Sequence, residues 1–247
     1  MLTTTISPLS ALTARLSRAM PLSDDARRAI EVLPATMQEL APNTGFIHPG
    51  DRSTSCCLVL SGWMGRFTLL PNGERQFLAL HIAGDIPDLQ TLHLPVVDHG
   101  ICAFTHVSVA LIPHEAIHDL MVRYPDAAAA LWHEVLVIAS ITNEWLIGLG
   151  RRSGPKRLAH LLYELYVRQK AAGLVKEEGR CALPLTQTVL ADALGLTSVH
   201  VNRILQEIRA EQMIQLMKRT LIIRDWSRLK VLAEFDPLYL HLDQRLT

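Results

Sequence analysis

The 247-residue chain has only four cysteines, Cys56, Cys57, Cys102 and Cys181, without C-x-x-C spacing and with none before residue 56. That pattern gives no metal-thiolate spacing, and without an export signal it points to free, partly buried thiols rather than disulfides. Although 49% of the residues are hydrophobic, no apolar run approaches the roughly 20 residues that cross a bilayer. The opening MLTTTISPLSALTARLSRAM lacks the basic start and unbroken apolar core of a secretory signal, so a cytoplasmic protein is expected. There is no nucleophile elbow, zinc-protease motif or phosphate loop, so the scattered His and Asp residues are expected to be surface groups and caps, and the chain no enzyme. Lysine and arginine are absent between Gln76 and Val122. A desolvated anion bound there would lack a guanidinium.

The formal net charge is zero, which hides an asymmetry. Residues 1–150 hold 8 Lys plus Arg against 14 Asp plus Glu, a balance of −6, whereas residues 151–247 hold 16 against 10, a balance of +6. A neutral total therefore leaves nucleic-acid binding open to the second half.

Within that half, LTQTVLADALGLTSVHVNRILQEIRA (Leu185–Ala210) reads as two short helices about a glycine turn. Val189, Leu190, Ala193 and Leu194 repeat on one face, and Thr186 stands as cap. Gly195 ends the first helix and Thr197 caps the second. Val201, Ile204, Leu205 and Ile208 then face inward, leaving Ser198, His200, Asn202, Arg203 and Gln206 on the polar side. This is the pattern of a helix-turn-helix, whose second helix enters a DNA major groove. The bland alternative is a helical hairpin in an ordinary core. The small polar start of the second helix and the following QMIQLMKRTLIIRDW, a strand–basic turn–strand pattern that would make a wing, favour DNA.

Upstream, Leu9–Glu39 reads as helical with a break near Pro21, and Ser23 as a cap. Met37–Ile112 breaks into short β-branched runs between glycines and prolines, with a hairpin at Pro71-Asn72-Gly73, as in a small antiparallel barrel or jelly roll. Pro125 opens a long helix in which Leu131, Val135, Ile138, Thr142, Trp145 and Leu149 recur at four and three residues, the spacing of a two-stranded coiled-coil seam. The same helix could instead simply pack across the barrel, and its wide apolar face could do both, touching the barrel on one flank and a partner on the other. Arg151–Pro155 is the expected hinge, dividing residues 1–124, 125–150 and 151–247. WSRLKVLAEF is expected to be a last helix, with DPLYLHLDQRLT loosely attached.

In VLSGWMGRFTLLPNGERQFLALHIAGD, TQTVLADALGLTSVHVNRILQEI and the order of parts, the chain resembles the cyclic-AMP receptor protein and anaerobic-regulator (Crp/Fnr) superfamily of bacterial transcription factors, from about residue 20 to 235. The resemblance implies an α+β chain: an N-terminal cyclic-nucleotide-binding-like β-roll, a long dimerisation helix and a C-terminal winged helix-turn-helix. It also implies a homodimer on a roughly palindromic DNA site, acting with RNA polymerase. Two departures matter. The cyclic-phosphate-binding Arg-Ser pair has no counterpart in Gly84-Asp85-Ile86-Pro87-Asp88 and the LQTLHLPVVDHGICAF that follows, so cyclic nucleotides are not expected as ligands. Ser198 and Val199 replace the Arg-Glu pair of the recognition helix, so the half-site should differ, while Arg203 matches its last arginine.

An iron–sulfur cluster would need N-terminal cysteines that are lacking. The eight histidines before Gly150 form no zinc pattern, and neither haem nor another metal is expected. No cofactor is identifiable. Cys102 or Cys181 could act as an oxidation sensor only if exposed and thiolate-like. Expected DNA contacts are Thr197, Ser198, Val199 and His200, Arg203 to a guanine or a phosphate, and Lys218 and Arg219 in the wing. The competing reading is a homodimeric binding module whose winged helix meets protein instead of DNA.

Overall fold

The computed structural model describes residues 7–94 and 96–242. Contacts divide them into two units, the first built from residues up to Arg66 with Leu80–Ala139, the second from Phe67–Ala79 with Ser140–Leu240.

The first unit begins with helices α1 (Ser10–Ala19) and α2 (Asp24–Glu31). Ser23 caps α2 by accepting the Ala26 N–H at 3.2 Å, with Asp24 and Asp25 in the first turn. The helix expected to reach Glu39 stops at Glu31 because Pro34 disfavours helical backbone before it, and Thr36–Leu40 is strand β1. Strands β2 (Gly45–Ile47), β3 (Ser55–Ser61), β4 (Met64–Leu69), β5 (Arg75–His81), β6 (Gly100–Ala103) and β7 (Val107–Pro113) follow. They form two sheets, in the orders β1-β7-β3 and β2-β6-β4-β5. Pro71-Asn72-Gly73 makes the β4–β5 turn, with Gly73 at φ +85°. Gly62 at φ +89° joins β3 to β4, and a Cβ there would lie 2.3 Å from the His106 carbonyl, so only glycine fits.

Strand alternation explains why two apolar cores form. Cys57 and Val59 on β3 and Val107 and Val109 on β7 point into one core with Ile47, Met64 and Ile101. Their neighbours Cys56, Leu58, Ala110 and Ile112 point the other way, into a core completed by helices. That second core takes Leu12 and Leu16 from α1, Ile30 from α2, Ile117 and Leu120 from α3 (His114–Arg123), and Ala127, Ala130 and Leu131 from α4 (Pro125–Arg151). The adjacent cysteines thus face opposite cores. All four cysteines are buried and outside any disulfide, and burial pushes the Cys181 thiol up to about 12.

The second unit contains the β4–β5 hairpin tip, the end of α4, α5 (Gly154–Ala171), β8 (Arg180–Ala182), α6 (Gln187–Leu194), α7 (Ser198–Ala210), β9 (Ile214–Met217), β10 (Thr220–Ile223) and α8 (Trp226–Ala233). The three short strands form an antiparallel sheet in the order β8-β10-β9. Its core holds a fully buried carboxylate, Glu164. Trp145 Nε1 donates to it at 3.0 Å, the Tyr239 hydroxyl at 2.9 Å and Arg168 at 3.2 Å. The segment expected to hang loosely is therefore anchored as far as Leu240, which is itself buried. Residues 243–247 of that segment lie outside the described residues. The division between units falls inside α4, so the expected hinge at Arg151–Pro155 lies within the second unit, where Trp145 already fastens α4 to α5. The hairpin tip joins this unit through Arg75, whose Nε and Nη2 reach Asp192 on α6 at 3.0 and 2.9 Å, and through Gln76, which donates to the Ala193 carbonyl at 3.1 Å.

One buried acid makes the stability of the first unit depend on pH. Asp88 is 1% exposed, and one carboxylate oxygen accepts the Cys57 N–H at 2.8 Å. Burial pushes its pKa up to about 7 against 3.8 for the free group, although backbone hydrogen bonds pull the other way. The folded state therefore binds this proton more tightly than the unfolded chain. The stability that Asp88 contributes should be fully present below about pH 4 and be lost as pH rises through 7. Asp88→Asn keeps the acceptor and removes the titration. Urea unfolding should find the variant about 1–3 kcal/mol more stable than the parent at pH 8, with the gap vanishing near pH 4; parallel pH curves would refute this assignment.

Candidate nucleic-acid interface

The helix-turn-helix assembles from local chemistry. Thr186 accepts the Val189 N–H at 3.2 Å to start α6, and Gly195, at φ +59° and ψ 44°, ends it in the left-handed conformation. Thr197 accepts the His200 N–H at 3.2 Å to start α7. Val189, Leu190, Ala193 and Leu194 of α6 and Val201, Ile204, Leu205 and Ile208 of α7 are all buried. Burial of those positions determines what α7 presents outward: Val199, Asn202, Arg203, Gln206 and Arg209.

Val199 is 81% exposed although apolar. Arg203 pairs with Glu207 one turn on, at 3.7 Å, and both side chains are more than half exposed, so the guanidinium is available to a partner. Asn202 accepts from Gln187 of α6 at 3.2 Å, which orients its amide. Ser198 is half-buried and Thr197 exposed at the helix start. The His200 ring turns back onto α5, where a Cβ added to Gly154 would stand 3.3 Å from its Cε1. It is thus packed as well as polar.

Asn202 and Gln206 join the outward surface and were not among the expected contacts. The polar spacing of α7 already contained them.

Beyond α7, Lys218 and Arg219 are both exposed and form the two-residue turn between β9 and β10, at φ +44° and +65°. Gln206 and Arg209 of α7 and Gln215 and Arg224 of the wing line one open cleft. The helix face and the wing therefore make one polar, cationic surface with an apolar contact point at Val199.

Of the residues expected in a dimer seam, Leu131 is buried and Val135 half-buried, both in the core of the first unit, and Trp145 is spent on Glu164. Leu149 lies against the α6–α7 turn, with Cδ2 3.3 Å from a Cβ added to Gly195. Ile138 is half-buried and Thr142 exposed. The exposed apolar stripe is turned by one residue: Trp132, Leu136, Ala139, Asn143, Leu146 and Gly150, flanked by Ile147. Trp132 is 61%, Leu136 52% and Leu146 67% exposed.

No three His, Cys, Asp or Glu side chains among the described residues come together as metal ligands. Among those residues no helix is long and apolar enough to cross a membrane.

Comparison with known proteins agrees with both halves. Residues 156–232 match the family model of the Crp-like helix-turn-helix domain, and residues 37–124 that of the cyclic nucleotide-binding domain. The chain is 28% identical over 189 residues to the transcriptional activator protein FnrL of Cereibacter sphaeroides, covering 74% of each chain. It is 24% identical over 184 residues to the fumarate and nitrate reduction regulatory protein of Vibrio cholerae, covering 74% of this chain and 73% of the relative. Among solved structures, FixK2 of Bradyrhizobium japonicum superposes with a TM-score of 0.73 at 24% identity, over 81% of this chain and 98% of that one, a likeness of fold.

Proposed function

Because the chain belongs to the Crp/Fnr superfamily of bacterial transcription regulators and is a DNA-binding regulator of that type, we propose that it reads a roughly palindromic operator as a homodimer, one α7 helix in each of two successive major grooves. The observation that carries this is the outward face of α7, where Arg203, Asn202 and Gln206 stand beside an exposed valine with no structural use. Asparagine and glutamine suit adenine, arginine suits guanine, and a methyl group suits thymine. Thr197 and Ser198 at the helix start and Lys218 and Arg219 in the wing supply phosphate contacts. In this reading the dimer acts in the cytoplasm and contacts RNA polymerase, as the resemblance to bacterial regulators implies. The family is one of regulators and not of enzymes.

Sequence reading and general attraction separate in a titration against operator and scrambled duplex at several salt concentrations. Arg203→Ala should lose about 1–3 kcal/mol on the operator and much less on scrambled DNA. Lys218→Ala should weaken both alike and reduce the salt slope by about one. Equal losses on both duplexes for Arg203→Ala would move that residue to backbone positioning.

The stripe Trp132, Leu136, Ala139, Asn143, Leu146 and Gly150 has heptad spacing and is the seam we assign to the dimer, with Asn143 as its polar register position. Leu146→Asp should sediment as a monomer and lose tight operator binding, because a charge would be buried without compensation. Leu131→Ala, inside the core, should lower stability by about 2–5 kcal/mol and leave the association state unchanged. The opposite pair of outcomes would return the seam to the Leu131 face.

Cyclic nucleotides are not the ligand in this reading. The segment after β5 that corresponds to the phosphate-binding stretch carries two buried carboxyl groups, Asp85 and Asp88, and a buried anion beside them would be poorly compensated. Calorimetry with cyclic AMP or cyclic GMP should find no saturable binding; a low-micromolar 1:1 isotherm would defeat the proposal.

A further inference from the structure

The cleft between α7 and the wing holds positive charge that no carboxylate in its lining balances. It is an open space of 690 Å³, lined by Gln206 and Arg209 of α7, Gln212 in the turn after it, and Ile214, Gln215 and Arg224 of the wing. Arg209 and Arg224 are both exposed. Among the described residues the Arg209 side chain has no hydrogen bond or ion pair. Arg224 donates from Nη2 to the side-chain oxygen of Gln215 at 2.5 Å, a neutral partner that orients the guanidinium and leaves its charge standing. The acids nearest in sequence are engaged elsewhere. Glu207 faces Arg203 at 3.7 Å, Glu211 pairs with Arg228 at 2.7 Å, and Asp225 accepts the Arg228 N–H at 2.9 Å to start α8.

Folding alone does not account for two guanidinium groups here. One cation in the last turn of α7 complements the helix dipole, and Arg209 stands there. A second one lining the same cleft repels the first. Their position points to the partner. Arg209 follows Val199 by ten residues on the outward face of α7, which is about 15 Å along the helix axis. A major groove is about 12 Å wide. With the start of α7 among the bases, Arg209 therefore reaches the groove wall, where the phosphates run. The hairpin sets Arg224 at the same level, because its partner Gln215 pairs with Ile222, near the end of the ladder away from the Lys218–Arg219 turn. Arg224 lies five residues beyond Arg219, about 17 Å of extended chain. The base and the tip of the wing are thus two separate cationic points.

We propose that this cleft is a phosphodiester clamp, in which Arg209 and Arg224 close on one backbone phosphate of double-stranded DNA at the edge of the groove. A guanidinium fork matches phosphate oxygens, and one anion between the two groups removes their mutual repulsion. The Gln206 amide supplies a further donor beside them. Such a contact fixes how deeply α7 sits and carries no sequence information. The clamp rests on the reading of α7 and the wing as a DNA surface, and adds to it a point of grip distinct from the wing tip.

The test is fluorescence anisotropy of the full chain on a labelled mixed-sequence duplex of about 30 base pairs, between about 50 and 200 mM salt. Arg209→Ala and Arg224→Ala should each weaken binding about three- to tenfold, at the parent's melting temperature. The double variant should lower the salt slope by about 0.9 for each protomer engaged, the value for one phosphate. A fall about twice as large would mean two independent contacts and overturn the clamp. Arg209→Lys keeps the charge without the fork, so it should bind better than Arg209→Ala and retain the parent's slope. Lys176→Ala, in the loop before β8 and beyond the sheet edge opposite β9, should match the parent in affinity and slope. An equal loss in Lys176→Ala would assign the effect to overall charge and reject the clamp. A parent that binds no duplex defeats the DNA reading and the clamp together, whereas a parent that binds no better than the two alanine variants defeats the clamp alone.

Discussion

Helix α4 is the constraint from which most of the molecule follows. At 27 residues it runs through both units. In the first unit it is held by burial of Ala127, Ala130 and Leu131 and by the ion pair of Glu134 with Arg15. In the second it is held by a polar contact, Trp145 donating to a carboxylate with no exposure to water. A helix has one rotation about its own axis. Once the inner face is set by those contacts, the face left exposed is also set, and it carries Trp132, Leu136, Ala139, Asn143 and Leu146. Apolar side chains left in water on a rigid, heptad-spaced line cost solubility unless a partner covers them. Intrachain packing thus leaves that line exposed for the seam we propose, and the same contacts bury Leu131.

The elements legible in the sequence were those fixed by neighbours in the chain. Ser23, Thr186 and Thr197 cap helices where their spacing said they would, because a cap depends on three or four residues. Gly195 and the Pro71-Asn72-Gly73 turn are read equally well, since their backbone conformation is local. The face of α4 was not legible to within one residue. Its sequence from Ala127 to Ile141 is apolar at almost every position, so two stripes separated by about 100° fit the same periodicity, and only tertiary contacts choose between them. The same reason hid the attachment of the C-terminal segment, where Tyr239 and Glu164 are 75 residues apart.

Electrostatics gave the converse result. Counting charges identified the cationic half correctly, but it could not find the arginine that matters in the sensor unit. The stretch from Gln76 to Val122 has no cation of its own, and the structure supplies one from α1, 70 residues before Asp85. Its effect is to neutralise buried acids already present. The missing phosphate-binding arginine and the imported Arg15 are two sides of one inversion of charge. Asp85 and Glu134 are both buried beside Arg15, so the charge brought in from α1 is balanced inside the unit.

The wing shows how strain separates contact residues from structural ones. A two-residue hairpin turn with both central residues at positive φ is best made by Asn-Gly, yet Lys218 and Arg219 occupy it at φ +44° and +65°. Each non-glycine residue in that region costs about 1–2 kcal/mol, and neither side chain is buried in return. Val199 is a parallel case, with an apolar side chain 81% exposed on a helix that buries Val201, Ile204, Leu205 and Ile208. On stability alone Asn-Gly would serve better in the turn, and a polar residue at 199. Their present identities make sense for a surface completed by something else, with phosphates opposite the two cations and a base methyl opposite the valine. Strain in the turn and exposure on the helix arise independently, one in the backbone and the other in solvation, and both point to the same face.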